Sequence, residues 1–220
     1  MSIHLRKEIE NLKKRILSLS TLVEESVRRA IRSVEERDIS LAEGIIEDDL
    51  MIDRMEVAVE EECLKLLALY QPVAIDLRFI VAILKVNNDL ERIGDLSVNI
   101  AEATLFLGKE KKIAIPFDLP EMAEKTQLML KKSLDALVNM DPDLARMVCD
   151  ADDEVDEINR EMYGKVKEAI LNEPNNLNYL IQLLTISRHL ERIADLATNI
   201  AEDVIYMVKG EIIRHRSYTG

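Results

Sequence analysis

Four carboxylate pairs in this chain stand four residues apart: Asp49 with Asp53, Glu91 with Asp95, Asp152 with Asp156, and Glu191 with Asp195. On a helix that spacing brings both members to one face. Like charges so placed repel by roughly 0.2–0.5 kcal/mol per pair, and a cation between them reverses the sign. Oxygen-only ligand sets suit hard or borderline ions: Mg²⁺, Ca²⁺, Mn²⁺ or iron. A structural zinc site would normally recruit Cys or His. An ordinary solvated helix face has the same spacing, so a metal site and a metal-free helical scaffold both stay open on spacing alone.

The pairs belong to a repeat. Glu91-Arg-Ile-Gly-Asp-Leu-Ser-Val-Asn-Ile-Ala-Glu102 returns one hundred positions later as Glu191-Arg-Ile-Ala-Asp-Leu-Ala-Thr-Asn-Ile-Ala-Glu202, with nine of twelve residues identical and every acid kept. Asp49 and Asp53 return as Asp152 and Asp156. At about 100° per residue, Asp95, Asn99 and Glu102 fall within about 80° of Glu91, while Ile93, Leu96 and Ile100 face the other way. Asn199 and Glu202 repeat the arrangement after Glu191 and Asp195. Backward along the same stripe stand Leu77, Ile80 and Leu84, matched by Leu177, Leu180 and Leu184. The acids continue an apolar stripe, so incomplete solvation is expected. On the preceding helix Glu56 and Glu60 extend the first copy's acidic stripe, but Asn159 and Tyr163 hold those places in the second. The set common to both halves is two acids from one helix and two from the next. Asn99, Glu102, Asn199 and Glu202 are second-tier candidates.

Catalysis has no comparable signal. Di-iron bundle enzymes place Glu-x-x-His motifs inward, yet neither Glu91 nor Glu191 has a His three residues on. His189 falls about 160° from Glu191, a packing or interface position. There is no Gly-rich phosphate loop, no Gly-x-Ser-x-Gly and no Cys/His pairing with an orienting residue. The chain is read as a non-enzyme. Cys63 and Cys149 lack metal-type spacing and are expected to be buried free thiols.

A net charge of -13 argues against nucleic acid as a partner. Lys109, Lys111 and Lys112, and Arg214, His215 and Arg216, read as a solvated loop and a solvated tail. No apolar run reaches the ~18 residues of a membrane span. The charged N-terminus carries no visible signal peptide, so a cytoplasmic protein is expected.

Helices must position these groups. Trp is absent, Phe numbers 3, Tyr 5, Gly 6 and Pro 5, and so few breakers and aromatics favour helix over sheet. Leu5, Ile9, Leu12, Ile16, Leu19 and Val23 alternate spacings of four and three, the seam of a helix packed on helices. That helix ends near Arg37. Ser40 and Glu43 match a capping box opening a second helix to about Leu69. Pro72 suits the first turn of a third, from about Val73 to Leu107, with Gly108 as its stop. Residues 108–118, with the lysines, Pro116 and Asp118, read as a linker. A fourth helix follows from about Pro120 to Asn139. Asp141-Pro142-Asp143 caps a fifth running to Leu171. After a turn at 172–176 comes a sixth, Leu177 to Lys209. The expectation is an all-α fold of six long helices in two tandem, pseudo-symmetric three-helix bundles, 1–113 and 114–220, whose long apolar-edged helices permit a homodimer.

Asp-x-x-x-Asp followed by Glu-x-x-x-Asp, occurring twice at this spacing, resembles the PhoU family of phosphate-signalling regulators, over about Leu5 to Lys209. The resemblance implies two three-helix bundles and metal ions, often multinuclear, of iron, zinc, manganese or magnesium. Carried onto this chain, their ligands are Asp49, Asp53, Glu91 and Asp95, then Asp152, Asp156, Glu191 and Asp195. It implies two partners: the ATPase subunit of the high-affinity phosphate transporter and the membrane sensor histidine kinase of the phosphate-starvation response. Both would be negatively regulated by an adaptor that reaches the membrane only through them. An accessory protein of a different phosphate transporter is the alternative, and a di-iron carboxylate bundle enzyme a more distant one.

Overall fold

The computed structural model describes residues 3–113, 115 and 118–211. Six helices carry these residues: α1 (Ile3–Glu36), α2 (Ile39–Tyr70), α3 (Ala74–Lys109), α4 (Leu119–Asn139), α5 (Pro142–Asn172) and α6 (Leu177–Lys209). A single 3-10 turn, Pro174–Asn176, precedes α6. Pro116 and the Arg214-His215-Arg216 group lie outside the described residues. No described helix is long and apolar enough to cross a membrane.

The chain breaks where its backbone can turn over. Arg37, Gln71 and Met140 take left-handed conformations after α1, α2 and α4, and Gly210 does so after α6. Asp38 follows Arg37 directly in an extended conformation and accepts the Leu41 N–H at 2.9 Å. This displaces the expected capping box: with α2 starting at Ile39, Ser40 and Glu43 already lie inside the helix. Pro72 is likewise not in a first turn, because α3 starts at Ala74 behind Val73. Nor does Gly108 stop α3. The helix runs on to Lys109, and a Cβ at Gly108 would come within 2.9 Å of Ile39 at the start of α2. Glycine there serves close helix approach. The second-half caps match expectation: Asp141 accepts the N–H groups of Asp143 and Leu144 at 2.9 and 3.1 Å, with Pro142 opening α5.

Helices α1, α2 and α3 each pack on the other two, as do α4, α5 and α6; α3 on α6 and α1 on α4 join the two bundles. The α1 seam from Leu5 to Val23 is buried throughout. Each such Leu or Ile contributes about 1.5–3 kcal/mol by leaving water. Arg37 closes one end of the junction. Its guanidinium donates to the carbonyls of Leu107 and Glu110, satisfying the α3 C-terminus, and lies 5.9 Å from the Tyr179 ring centroid on α6.

Candidate metal centres

Apolar packing of α2 on α3, and of α5 on α6, fixes the registers that bring the carboxylates together. Ile52 and Val59 on α2 and Val86, Leu90 and Ile93 on α3 are buried. The acids emerge along the edge of that seam. Gly94 shows how near the helices run: a Cβ there would stand 3.2 Å from Ile52 and 3.3 Å from an Asp49 carboxylate oxygen.

In the first bundle Asp49, Asp53 and Glu56 from α2 face Glu91 and Asp95 from α3. Burial raises the Asp49 pKa to about 6, and the charges of Asp53 and Asp95 push the same way. Glu91 is raised by burial, then by Asp95, Glu56, Asp53 and Asp49. Glu56 is raised by burial, Glu60 and Asp53. No basic side chain contributes to any of the three shifts. Asn87 ties Glu56 across the interface, its side-chain amide donating at 3.0 Å to both the Glu56 carbonyl and its carboxylate.

In the second bundle Asp152 and Asp156 from α5 face Glu191 and Asp195 from α6. Asp156, Glu191 and Asp195 each offer a carboxylate oxygen, all within 4.8 Å of one another. Burial raises Asp152 to about 6, with Asp195 and Asp156 adding to it, while the Thr198 hydroxyl, donating at 3.2 Å, opposes it. Asp195 is likewise raised to about 6, by burial, Glu191 and Asp156 against Arg192. Glu191 is raised by burial and Asp156, with Arg192 and Arg188 opposing. Ser187 donates to Asn159 at 2.6 Å where Asn87 held Glu56.

The second set fits a cation; among the described residues no three carboxylate oxygens of the first set come together as closely. At an effective dielectric near 20, two unit charges ~4 Å apart repel by about 4 kcal/mol, less where water screens them. Protonation or a metal ion relieves that repulsion. Ion binding would use Asp49, Asp53, Glu91 and Asp95 in one bundle and Asp152, Asp156, Glu191 and Asp195 in the other, all with hard oxygen donors.

The second-tier residues lie farther along α3 and α6. Asn99 and Asn199 line a groove of about 380 Å³ between α3 and α6, with Arg92, Asp95, Leu96, Arg192, Asp195 and Leu196. Glu202 borders a neighbouring groove beside Lys85, Asp89 and Arg92, and its charge adds to the rise in the Cys149 pKa. Glu102 is exposed. His189 is half-buried and is not one of the clustered ligand candidates; burial, then Arg192 and Arg188, lower its pKa. Both cysteines are free thiols, pushed by burial up to about 12, although Cys149 is half-buried rather than buried. Sequence reasoning missed the supports: Asn87, Ser187 and Thr198. Their signal was the repeat itself, since Asn87 and Ser187 stand one hundred residues apart, as do Val98 and Thr198.

The PhoU domain family model matches residues 16–104 and again 119–204. Over 210 residues the chain is 37% identical to a phosphate-specific transport system accessory protein PhoU homolog of Aquifex aeolicus, covering 96% of this chain and 95% of the relative. A homolog of the same description from Pseudomonas aeruginosa is 34% identical over 213 residues, covering 96% and 88%. The crystal structure of PhoU from Pseudomonas aeruginosa superposes with a TM-score of 0.90 at 34% identity, over 94% of this chain and 99% of that one. The regulatory protein PhoU from Streptococcus pneumoniae gives 0.84 at 32%, over 95% and 99%.

Proposed function

The chain belongs to the PhoU family, and from that premise we propose that it is an accessory protein of phosphate transport: a non-enzymatic, cytoplasmic adaptor that holds metal ions in its two acidic sites. Its partners are the ATPase subunit of a high-affinity phosphate transporter and a phosphate-sensing histidine kinase, and it restrains both when phosphate is sufficient. Near full-length similarity to proteins named for the phosphate-specific transport system carries this reading. The two acid clusters add the metal. Their carboxylates are partly buried and mutually repelling, and a bound di- or trivalent ion links α2 to α3 and α5 to α6. Rigid helices ~50 Å long then present fixed faces to the partners.

Two measurements test the reading. Purified transporter ATPase from the same organism should retain this chain on a column, and a deletion strain should take up phosphate and express starvation genes at high phosphate. Failure of both rejects the adaptor role. Elemental analysis of untagged protein purified without chelator should find stoichiometric metal. A folded, metal-free protein would return the acids to solvent and leave a helical scaffold.

A further inference from the structure

Helices α1 and α4 hold equivalent places, each packed on the two other helices of its own bundle. Their burial patterns coincide at an offset of 103 residues: Ile16, Leu19, Val23 and Val27 are buried on α1, as are Leu119, Met122, Thr126 and Leu130 on α4. But α4 starts at Leu119, the counterpart of Ile16. Residues 3–15 of α1, more than three turns, therefore have no helical counterpart. In the first bundle those turns are part of the core. Leu5, Ile9 and Leu12 are buried, and the Lys13 ammonium beside them stands 5.6 Å from the ring centroid of Phe79, the first of four buried α3 residues that continue through Ile83, Val86 and Leu90.

In the second bundle the duplicates of those four residues, Tyr179, Leu183, Ile186 and Leu190, line a cavity of about 350 Å³ together with Leu119 and Ala123 at the start of α4. The place that α1 fills with its first turns is here left partly open, with Lys112 and Ile115 on its border. A concave, largely apolar space of this size falls in the range of small-molecule sites, about 300–1,000 Å³.

Two polar groups stand against these apolar walls. Arg37 lines the cavity, and its two carbonyl acceptors, Leu107 and Glu110, both take the same nitrogen, Nη2. Nε and Nη1 keep their donors for another acceptor. Tyr179 carries a hydroxyl that its duplicate Phe79 lacks, and that hydroxyl makes no hydrogen bond among the described residues. Arg37 and Lys112 against Glu35 leave the border positive on a chain whose net charge is -13.

We propose that this cavity binds a single-chain amphiphile with a carboxylate head, a medium-chain fatty acid. Its tail lies along Leu183, Ile186 and Leu190, in the place of the missing helical turns, and its head meets Arg37 and Tyr179. The guanidinium supplies charge-assisted hydrogen bonds to the carboxylate, and the phenol adds one more. A wholly apolar ligand would leave both groups unused. A polyanion would have to bury charge against an apolar wall. Neither the metal nor phosphate enters into this binding.

Titration calorimetry of the full chain with dodecanoate, below its micelle concentration, tests it. One equivalent should bind per chain, and dodecanol, which lacks the charge, should bind about tenfold more weakly or worse. Ala123→Met extends a side chain into the cavity and should weaken dodecanoate by about tenfold or more. Tyr179→Phe copies the first bundle and should weaken dodecanoate about 2–10-fold while leaving dodecanol unchanged. Leu69→Lys, at an exposed leucine near the end of α2, should bind as the wild type does. Circular dichroism checks the fold of each variant. A wild type that binds no dodecanoate would make the cavity a packing defect and overturn the proposal. So would full affinity in Ala123→Met, or equal affinity for dodecanoate and dodecanol.

Discussion

The α2–α3 site and the α5–α6 site are built by corresponding helices, and they differ in charge. In the first, burial and neighbouring carboxylates raise Asp49, Glu56 and Glu91, with no basic group among the causes of these three shifts. In the second, four carboxylates remain; Arg192 and Arg188 oppose the rise of Glu191, and Arg192 that of Asp195. The change at the rim is instructive. Asn87 holds Glu56 across the helix interface; in the copy Ser187 holds Asn159. Both copies have the cross-helix hydrogen bond, and only the first carries a charge in it. The polar tie at that position thus serves the helix pair, and the charge is a separate property free to diverge. If both sites take metal, the more acidic first one should take more or higher-charged ions than the second.

The sharpest way to break this comparison is to empty one site. Glu91→Ala with Asp95→Ala should remove the first site's share of metal and leave the second's, measured by elemental analysis; Glu191→Ala with Asp195→Ala should do the converse. Loss of both shares from either variant would mean the sites are not independent. Neutralising only the rim, by Glu56→Gln with Glu60→Gln, should bring the first site toward the second, with affinity down about 10–100-fold, the range seen when supporting groups of metal sites are removed. Calorimetric titration reads that change.

The helix approach differs as well. Gly94→Ala forces a methyl against Ile52 and Asp49 and should cost about 1–3 kcal/mol in denaturant unfolding. Ala194→Gly, at the position where the second bundle already accommodates a methyl, should cost only about 0.5–1 kcal/mol. Equal penalties would contradict the tighter first pair. Thr198→Val imitates Val98 and removes the donor to Asp152. It should raise the Asp152 pKa further in an NMR titration and cost about 0.5–1.5 kcal/mol where the charged form is populated.

The smallest effect is on pH dependence, since water screens these half-exposed groups. Asp49, Asp152 and Asp195 titrate near 6 in the folded chain and at about 3.9 when unfolded. Between those values the folded chain binds more protons, so their contribution favours folding at about pH 4 and is lost as pH rises through 6. Metal-free protein should show a lower urea midpoint at pH 7 than at pH 5 from these groups. Asp49→Asn and Asp152→Asn should each flatten that slope.

Much of this was legible from residue spacing, because a helix converts spacing directly into a face. The α1 seam, the Asp141 cap and the placing of each acid pair on one helix face follow from local geometry alone. What was not legible depends on neighbours. Asp38 displaced Ser40 as a cap because the α1–α2 joint turns over at Arg37. Gly108 reads as a helix stop until Ile39 is seen against it. Asn99 and Asn199 share a stripe with the acids, and the docking of α3 on α6 sets them with Asp95 and Asp195 along a groove between the bundles. No one-helix projection contains that information.

That groove is lined by Arg92 and Arg192, Leu96 and Leu196, and Asn99 and Asn199: each position shares it with its own duplicate. This is the contact an ancestral half-length polypeptide would make with its twin. Two copies held in one chain need not change together. Lys85 could pair with a buried Asp203 at 3.3 Å while Thr185 and Ala103 took the mirror-image places. A contact that had to occur twice now occurs once, and the two ends of the molecule became distinguishable to anything that binds them.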